Sequence, residues 1–490
     1  FKDSGKKIYV YANMGISNTD YQLVSLADKI FLNEYTGIDL KGLKIEVNFF
    51  RGLLDTLMIV PEVFRVEYNG KSYKTAGDQF LNKKMSDEMR ENYGDLLEDF
   101  YSVFLRDISI GRDWDVSKTQ DVINNGPYYT PHDAINAELA DSVMYPDQFE
   151  TYVDSLNNGD VEIVKWKEIY QSEEYVYEWA PKKKDKIAVI YAVGGIISGK
   201  SNPGPQGSSM MGDKTISKAI KAARNNDDIK AILLRIDSGG GSALASDQMW
   251  REIIKTTEED TKNIKPFIAS MSDVAASGGY YIACQADTII AHESTITGSI
   301  GVIGTQLKFS KLMKNWGISN DIIKKGEFSD IGTTSRLTSK SERDKIQSSI
   351  NNVYKTFKNR IISGRGLDQD IDLDDVAMGR VFTGKRAKDD ISIPIIDING
   401  GFHDAIEITK KVAGLEGQDV EIVEYPRQDD NFLEVAKALE IKSLLNKSFR
   451  VDYSSLVSQE LLEELEIFDI FPILINNEIQ MILPYKITIE

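Results

Sequence analysis

Ser277 lies in Asp273-Val-Ala-Ala-Ser-Gly-Gly-Tyr-Tyr-Ile-Ala-Cys-Gln-Ala-Asp287, where a serine followed by two glycines opens a run of small and apolar residues that reads as a buried helix. A serine so placed is a candidate nucleophile. Upstream, Ile232-Leu-Leu-Arg-Ile-Asp-Ser-Gly-Gly-Gly-Ser242 reads as an apolar strand entering a triple glycine, where backbone N–H groups can be bared toward a substrate oxygen. Together the two segments point to acyl transfer. A phosphate-cradling turn is the competing reading of the glycines, but no Gly-Lys-Ser/Thr follows them.

A serine hydroxyl attacks only when a neighbouring base takes its proton. The histidines are His132, beyond a proline in a turn, His403 in a Gly-Gly-Phe-His loop, and His292 shortly after Ser277; none has the spacing of a histidine triad. Lysine is the alternative, provided that burial lowers its pKa from about 10.4 toward neutrality. An internal repeat says where to look. Asp28 and Gly42 stand to Asp287 and Gly301 at one constant interval, and Tyr101-x-x-Phe104 with Gly111-Arg112 returns as Tyr354-x-x-Phe357 with Gly364-Arg365 at nearly the same one. At that interval Asn18 occupies the place of Ser277; Gly77 aligns with Gly332 at an interval a few residues shorter, so Lys74, in Tyr73-Lys-Thr-Ala-Gly-Asp-Gln-Phe80, matches Ser329 of a stretch without lysine at that point. Taken alone, Lys74 is a solvated surface lysine and Ser277 a helix-opening serine. A purely structural repeat has no reason to keep a nucleophile in one copy and a base in the other, so the reciprocal loss favours a site shared between copies.

These side chains must be held by an α/β framework. The second copy alternates strands over 186–193, 229–236, 266–271 and 288–291 with helices over 217–225, 245–256 and after Ser277, the pattern of a largely parallel sheet. The first copy, 1–155, lacks the opening elements; 156–185 reads as a connection, 186–415 as the second copy, and 416–490 as a C-terminal extension with an amphipathic helix (Phe432, Val435, Ala436, Leu439) and late short strands. The 490 residues carry 58 basic and 76 acidic side chains, a net charge of −18 that disfavours a nucleic-acid partner. A single cysteine, Cys284, excludes an internal disulfide and a cysteine-ligated zinc, and reads as a buried hydrophobe. Neither metal nor cofactor is expected. No apolar run reaches the roughly 18 residues of a membrane span; 187–197, broken by Tyr191 and two glycines, suits a strand pair. The chain begins at Phe1, and a fragment that has lost an upstream signal or anchor is expected.

Ala275-Ala-Ser-Gly-Gly-Tyr-Tyr281, Asp237-Ser-Gly-Gly-Gly-Ser242, Thr297-Gly-Ser-Ile-Gly-Val-Ile-Gly304 and Tyr73-Lys74 together resemble the signal peptide peptidase A (protease IV) family in its long two-repeat form, over nearly the whole chain to about residue 415. The resemblance implies tandem Clp protease/crotonase-like repeats, the first truncated at its N-terminus, and a Ser/Lys dyad split between them. It implies Ser277 as nucleophile, Lys74 as general base, Ser299 orienting the lysine, Gly240 and Gly278 as oxyanion donors, and an extended substrate along Gly239, Gly241 and Ser242. The flanking residues Ala243, Leu244, Ile300 and Val302 supply no charge, so small or apolar substrate side chains are expected beside them. The resemblance further implies peptide substrates such as cleaved signal peptides, a homotetrameric bowl, and attachment through the missing N-terminus to the bacterial inner membrane with the catalytic part extracytoplasmic. Two departures stand out. The family's Ser-Pro-Gly-Gly turn reads Ser238-Gly-Gly-Gly here, which should loosen the substrate platform, and Ile391-Ser-Ile-Pro-Ile-Ile-Asp-Ile-Asn399 replaces a short Gly-Leu-Val-Asp motif. The competing expectations are a crotonase-type acyl-CoA enzyme, which would use carboxylates, and an inactive scaffold.

Overall fold

The computed structural model describes residues 4–68, 70–156, 164, 184–204, 209–426 and 480–482. Its largest sheet has eight strands. Along its main path Val381–Thr383, Ile296–Gly298, Phe267–Ala276, Ile229–Ser238, Lys186–Val193 and Glu421–Tyr425 follow one another, all pairs parallel except the first. Both faces of this sheet are covered. Ala188, Ile190, Ile232 and Leu234 face a core shared with the helices Asp213–Arg224, Ala243–Ile254 and Lys340–Gly364, while Ile187, Val189, Leu233 and Ile268 meet the helix Phe402–Val412. Burial on both sides is why these strands read as continuous apolar runs rather than alternating ones. The segment 187–197 is the expected strand pair, Lys186–Val193 and Gly195–Ile197. No helix among the described residues is long and apolar enough to cross a membrane. The amphipathic helix expected around Phe432 to Leu439 lies outside the described residues.

The α/β expectation holds, and the repeat is visible in strand register. In the first copy Tyr9 pairs with Lys29 and Ile16 with Ile38; in the second, Ile268 pairs with Thr288 and Ala275 with Thr297, each shifted by the interval that relates Asp28 to Asp287. The aspartates explain themselves. Asp28 accepts the Ile8 N–H at 2.9 Å and Asp287 the Phe267 N–H at 2.8 Å, each pinning the start of its own copy's strand. Asp397, inside the segment that departs from the family motif, accepts the Ile289 N–H at 2.7 Å as Asp141 accepts that of Ile30 at 2.8 Å. The aspartate's task survives the altered sequence around it.

Sequence repeats and compact units divide the chain differently. One unit takes in Phe1–Glu46 and Leu97–Lys183, the other Val47–Leu96 and Lys184–Lys486. Residues 47–96 of the first repeat therefore pack with the nucleophile's copy. The strand Val60–Arg65 pairs antiparallel with Ile303–Lys308 in a second, seven-stranded sheet that also contains Gly240–Ser242. The chain passes from the large sheet to this one at Gly239, between Ile229–Ser238 and Gly240–Ser242. At the junction of inserted strand and host, Glu62, 4% exposed, meets Lys308 at 3.7 Å and takes hydrogen bonds from Thr338 and Arg343. Removing one partner of a buried ion pair leaves a desolvated charge without compensation. Glu62→Ala should cost about 3 kcal/mol in urea unfolding, and the Glu62→Ala/Lys308→Met double variant should lose less than Glu62→Ala alone.

Candidate active site

Ser277 closes the long strand Phe267–Ala276 and caps the buried helix Gly278–Ala283. Its φ of 55° is in the left-handed region, a strained conformation for a side chain with a Cβ and one that clusters at functional sites. The Ser277 N–H donates to Gly298 O at 2.9 Å, and the Tyr281 N–H donates to Ser277 O at 2.9 Å, so strand and helix both hold the strained residue in place. Gly278 and Gly279 follow because nothing larger fits. A Cβ on Gly279 would lie 2.5 Å from Ser238 O, and one on Gly278 would lie 3.1 Å from the Gly240 Cα.

Lys74 arrives from the inserted segment. Its loop is clamped through the backbone: the Tyr73 N–H donates to Met378 O at 3.0 Å, and Arg65, ion-paired to buried Asp78 at 2.5 Å, donates to Lys74 O at 3.3 Å. Gly379 takes φ +90°, and a Cβ there would sit 2.4 Å from the Lys74 nitrogen. These supports, Arg65, Asp78 and Gly379, were not singled out by sequence reasoning. They carry no chemistry of their own, and only the path of the chain brings them to Lys74.

The Lys74 Nζ ends 2.8 Å from Ser277 Oγ, 2.9 Å from Ser299 Oγ and 3.0 Å from Ser299 O, and all three residues are fully buried. The structure thus brings together the three side chains picked from sequence. Burial pushes the Lys74 ammonium well below the ordinary lysine pKa. A neutral amine has two N–H donors and one lone pair. The Ser299 carbonyl can only accept, and with the Ser299 hydroxyl taking the second N–H, the lone pair is left for the Ser277 O–H. The φ of 50° at Ser299 aims carbonyl and hydroxyl at one nitrogen, and its N–H donates to Arg380 O at 2.5 Å.

In the first copy the equivalent place is filled differently. Asn18 donates through Nδ2 to Gly42 O at 2.8 Å and accepts from the Lys41 N–H at 2.9 Å. One amide ties down the loop that corresponds to Ile300-Gly301, so no lysine is needed there. Ser329, the positional match of Lys74, is exposed. The three histidines are all exposed, and His292 Nδ1 accepts the Ser294 N–H at 3.2 Å in a tight turn. The thiol of buried Cys284 is pushed up to about 12 by desolvation.

The glycine strand is more committed than its sequence suggested. Gly240 adopts φ +103°, and its N–H donates to Ser238 Oγ at 3.2 Å. Gly241 pairs with Ile196 so closely that a Cβ would lie 2.2 Å from Ile196 O. The Ser242 hydroxyl accepts the Ala245 N–H at 3.4 Å, capping the next helix, and its carbonyl accepts the Ser246 hydroxyl at 3.0 Å. Of the apolar residues expected beside a bound peptide, Ile300 and Val302 are core residues with no exposed surface, and Leu244 is 63% exposed. Among the described residues no group of three or more His, Cys, Asp or Glu side chains could hold a metal.

A lysine whose folded-state pKa is lowered binds fewer protons folded than unfolded, so stability rises with pH up to the unfolded value. The penalty is complete below the folded pKa and vanishes above about 10.4. Lys74→Met should raise the melting temperature at neutral pH, with the gain shrinking as the buffer approaches that value; a gain independent of pH would mean that Lys74 is not the group being titrated.

The chain is 33% identical over 449 residues to the chloroplastic serine protease SPPA of Arabidopsis thaliana, covering 90% of this chain and 63% of that protein. It is 30% identical over 451 residues to Protease 4 of Haemophilus influenzae, covering 88% and 69% respectively. Among solved structures, a ClpP1 variant from Listeria monocytogenes overlaps 45% of this chain and 94% of its own at 14% identity and a TM-score of 0.27. The model of peptidase family S49 matches twice, over residues 1–158 and 259–416, at the spacing of the internal repeat. Matched over more than half its length, the chain belongs to peptidase family S49.

Proposed function

We propose that this chain is a serine endopeptidase with a Ser277/Lys74 dyad, acting on short apolar peptides such as released signal peptides. The observation that carries the reading is the fully buried Lys74 amine 2.8 Å from Ser277 Oγ. Ser277 Oγ bonds to the substrate carbonyl carbon as its proton passes to Lys74 Nζ. Collapse of the tetrahedral intermediate breaks the C–N bond, and the leaving amine takes that proton. Water then cleaves the acyl ester with Lys74 again as base, restoring the serine hydroxyl. The oxyanion is received by the N–H groups of Gly278 and Gly240. The Gly240 N–H must leave Ser238 Oγ at 3.2 Å, which a charged acceptor, forming the stronger hydrogen bond, outcompetes. The same reading extends to a homotetramer with inward-facing grooves, held at the cell envelope. Covalent capture of Ser277 by a fluorophosphonate, located by peptide mass mapping, tests the central claim. An unlabelled Ser277 in folded protein excludes it.

Residues that share one proton transfer fail together. Ser277→Ala, Lys74→Ala and the double variant should have nearly equal residual activity, and Lys74→Arg should be no better, because a guanidinium stays protonated. In the unaltered enzyme kcat/KM should rise with pH along a limb set by Lys74 and level off below the ordinary lysine value, since only the neutral amine accepts a proton. Near-native turnover by Lys74→Ala would move the base role elsewhere.

An extended substrate would pair through its backbone beside Gly239–Gly241, with Ala243 and exposed Leu244 as uncharged neighbours. Small or apolar side chains should be preferred next to the cleaved bond in a peptide library. A strong demand for a charged side chain there would contradict this placement.

A further inference from the structure

Residues 378–380 form one turn that meets the supports of the dyad on both sides. The Met378 carbonyl accepts the Tyr73 N–H at 3.0 Å, the Gly379 N–H donates to Ile300 O at 2.9 Å, and the Arg380 carbonyl accepts the Ser299 N–H at 2.5 Å. Tyr73 is the residue before the base, and Ser299 is the residue that accepts from its amine. Three consecutive peptide units therefore set where Lys74 and Ser299 stand with respect to each other. Met378 and Gly379 both have positive φ, 55° and 90°, so the turn is sharp and is not held by backbone preference alone.

The side chain of Arg380 closes that turn from outside. Its guanidinium carbon stands 3.6 Å from the centroid of the Tyr73 ring, a stacked cation–π contact, and its Nη1 is 3.2 Å from Glu91 Oε1. The Tyr73 hydroxyl donates to the other oxygen of the same carboxylate at 2.8 Å, so guanidinium, ring and carboxylate form a closed triangle over a tyrosine that is only 3% exposed. Arg380 Nε is buried with no hydrogen-bond partner among the described residues. An arginine kept only for an ion pair with the exposed Glu91 would avoid that cost by turning outward.

We propose that Arg380 is a positioning residue: its guanidinium locks Tyr73 against the turn that holds Ser299 and Ile300, and so fixes the Lys74 amine between Ser299 and Ser277. The proposal rests on the Ser277/Lys74 reading of the site. Arg380 acts through Tyr73 and through backbone, not on the reacting atoms. The demand for such a brace comes from geometry. Lys74 Nζ must keep 2.8 Å to one hydroxyl and 2.9 Å to another, and a small shift of its backbone spoils both. The charged groups around the turn are paired with one another, Arg65 with Asp78 and Arg380 with Glu91, which leaves desolvation as the cause that lowers the Lys74 pKa. A turn that loosens lets water reach the amine.

Arg380→Ala should lower kcat for a quenched apolar peptide roughly thirtyfold with KM little changed, the order of loss that accompanies displacement of a reacting group. The rising limb of kcat/KM should move to higher pH as the amine is resolvated. Guanidinium chloride at low millimolar concentration should restore much of kcat in this variant, and sodium chloride should not, since the gap accepts a planar cation. Tyr73→Leu should give a similar loss, and the double variant should be no worse than either single one, the non-additivity expected of residues that act through one contact. If Arg380→Ala only melts earlier, with near-native kcat in the folded enzyme, or if the two losses multiply, the proposal is overturned. Should the alanine variant not fold, Arg380→Lys, which keeps the charge and lacks the planar fork, is measured in its place; it should also lose kcat, and near-native turnover there overturns the proposal equally. A second arm needs no turnover. Lys74→Met should raise the melting temperature at neutral pH less in the Arg380 variant than in the unaltered chain, because the displaced amine is already partly solvated. Equal gains mean that Lys74 has not moved, and they sink the idea. Unequal gains, with no turnover and no fluorophosphonate labelling in any chain, would remove the protease reading and leave Arg380 as the brace of Lys74. Turnover that Arg380→Ala leaves intact, with equal melting gains, would remove Arg380 and leave the protease.

Discussion

A lysine amine removed from water and set against a serine hydroxyl is the constraint on which the rest of the structure turns. In solvent the Lys74 ammonium would be a donor with no capacity to accept; fully buried, it is driven toward the neutral form that can take a proton. The cost falls on the fold, which must keep water out and supply acceptors for the two N–H groups that remain. Ser299 supplies both from one residue, and its left-handed backbone is what allows its carbonyl and hydroxyl to converge. Strain at Ser277 and Ser299 is sustained because each also gives its backbone N–H to a neighbouring strand or loop.

That arrangement explains the unequal fates of the two copies. Asp28 and Asp287 perform the same backbone task, and the strand registers around them are superposable in sequence, yet Asn18 and Ser277 have diverged completely in chemistry. An asparagine amide satisfies both polar partners of its loop locally and makes that copy self-sufficient. Ser277 is satisfied only when a lysine arrives from elsewhere in the chain. The segment 47–96 delivers it, joining the nucleophile's unit through the pairing of Val60–Arg65 with Ile303–Lys308.

Glycine does the remaining work by letting backbones approach. Gly241 against Ile196, Gly279 against Ser238 and Gly379 against Lys74 are positions where a Cβ would collide with main-chain atoms, so each is a place where the site is defined by backbone rather than by side chains. A site built this way offers main-chain atoms more than side chains.

The sequence by itself determined the α/β alternation, because apolar periodicity is a local property, and it determined the repeat, because spacing survives when side chains do not. Ser277 and Lys74 were legible for the same reason: two copies in one chain provide an internal comparison, whereas Ser299 entered only through the family resemblance that named all three roles. Tertiary structure alone decided the rest. That residues 47–96 pack with the second copy rests on strand pairing, whose hydrogen bonds are made by backbone common to every residue and leave little trace in composition. Ile300 and Val302 read as candidate pocket walls and proved to be core, because which face of a short strand is buried depends on what lies across from it. The commitment of the Gly240 N–H to Ser238 and the position of Gln480–Ile482 between two strands are likewise facts of distance between remote parts of the chain. The depression of the Lys74 pKa belongs to this second class, since desolvation is a property of the surroundings and not of the lysine.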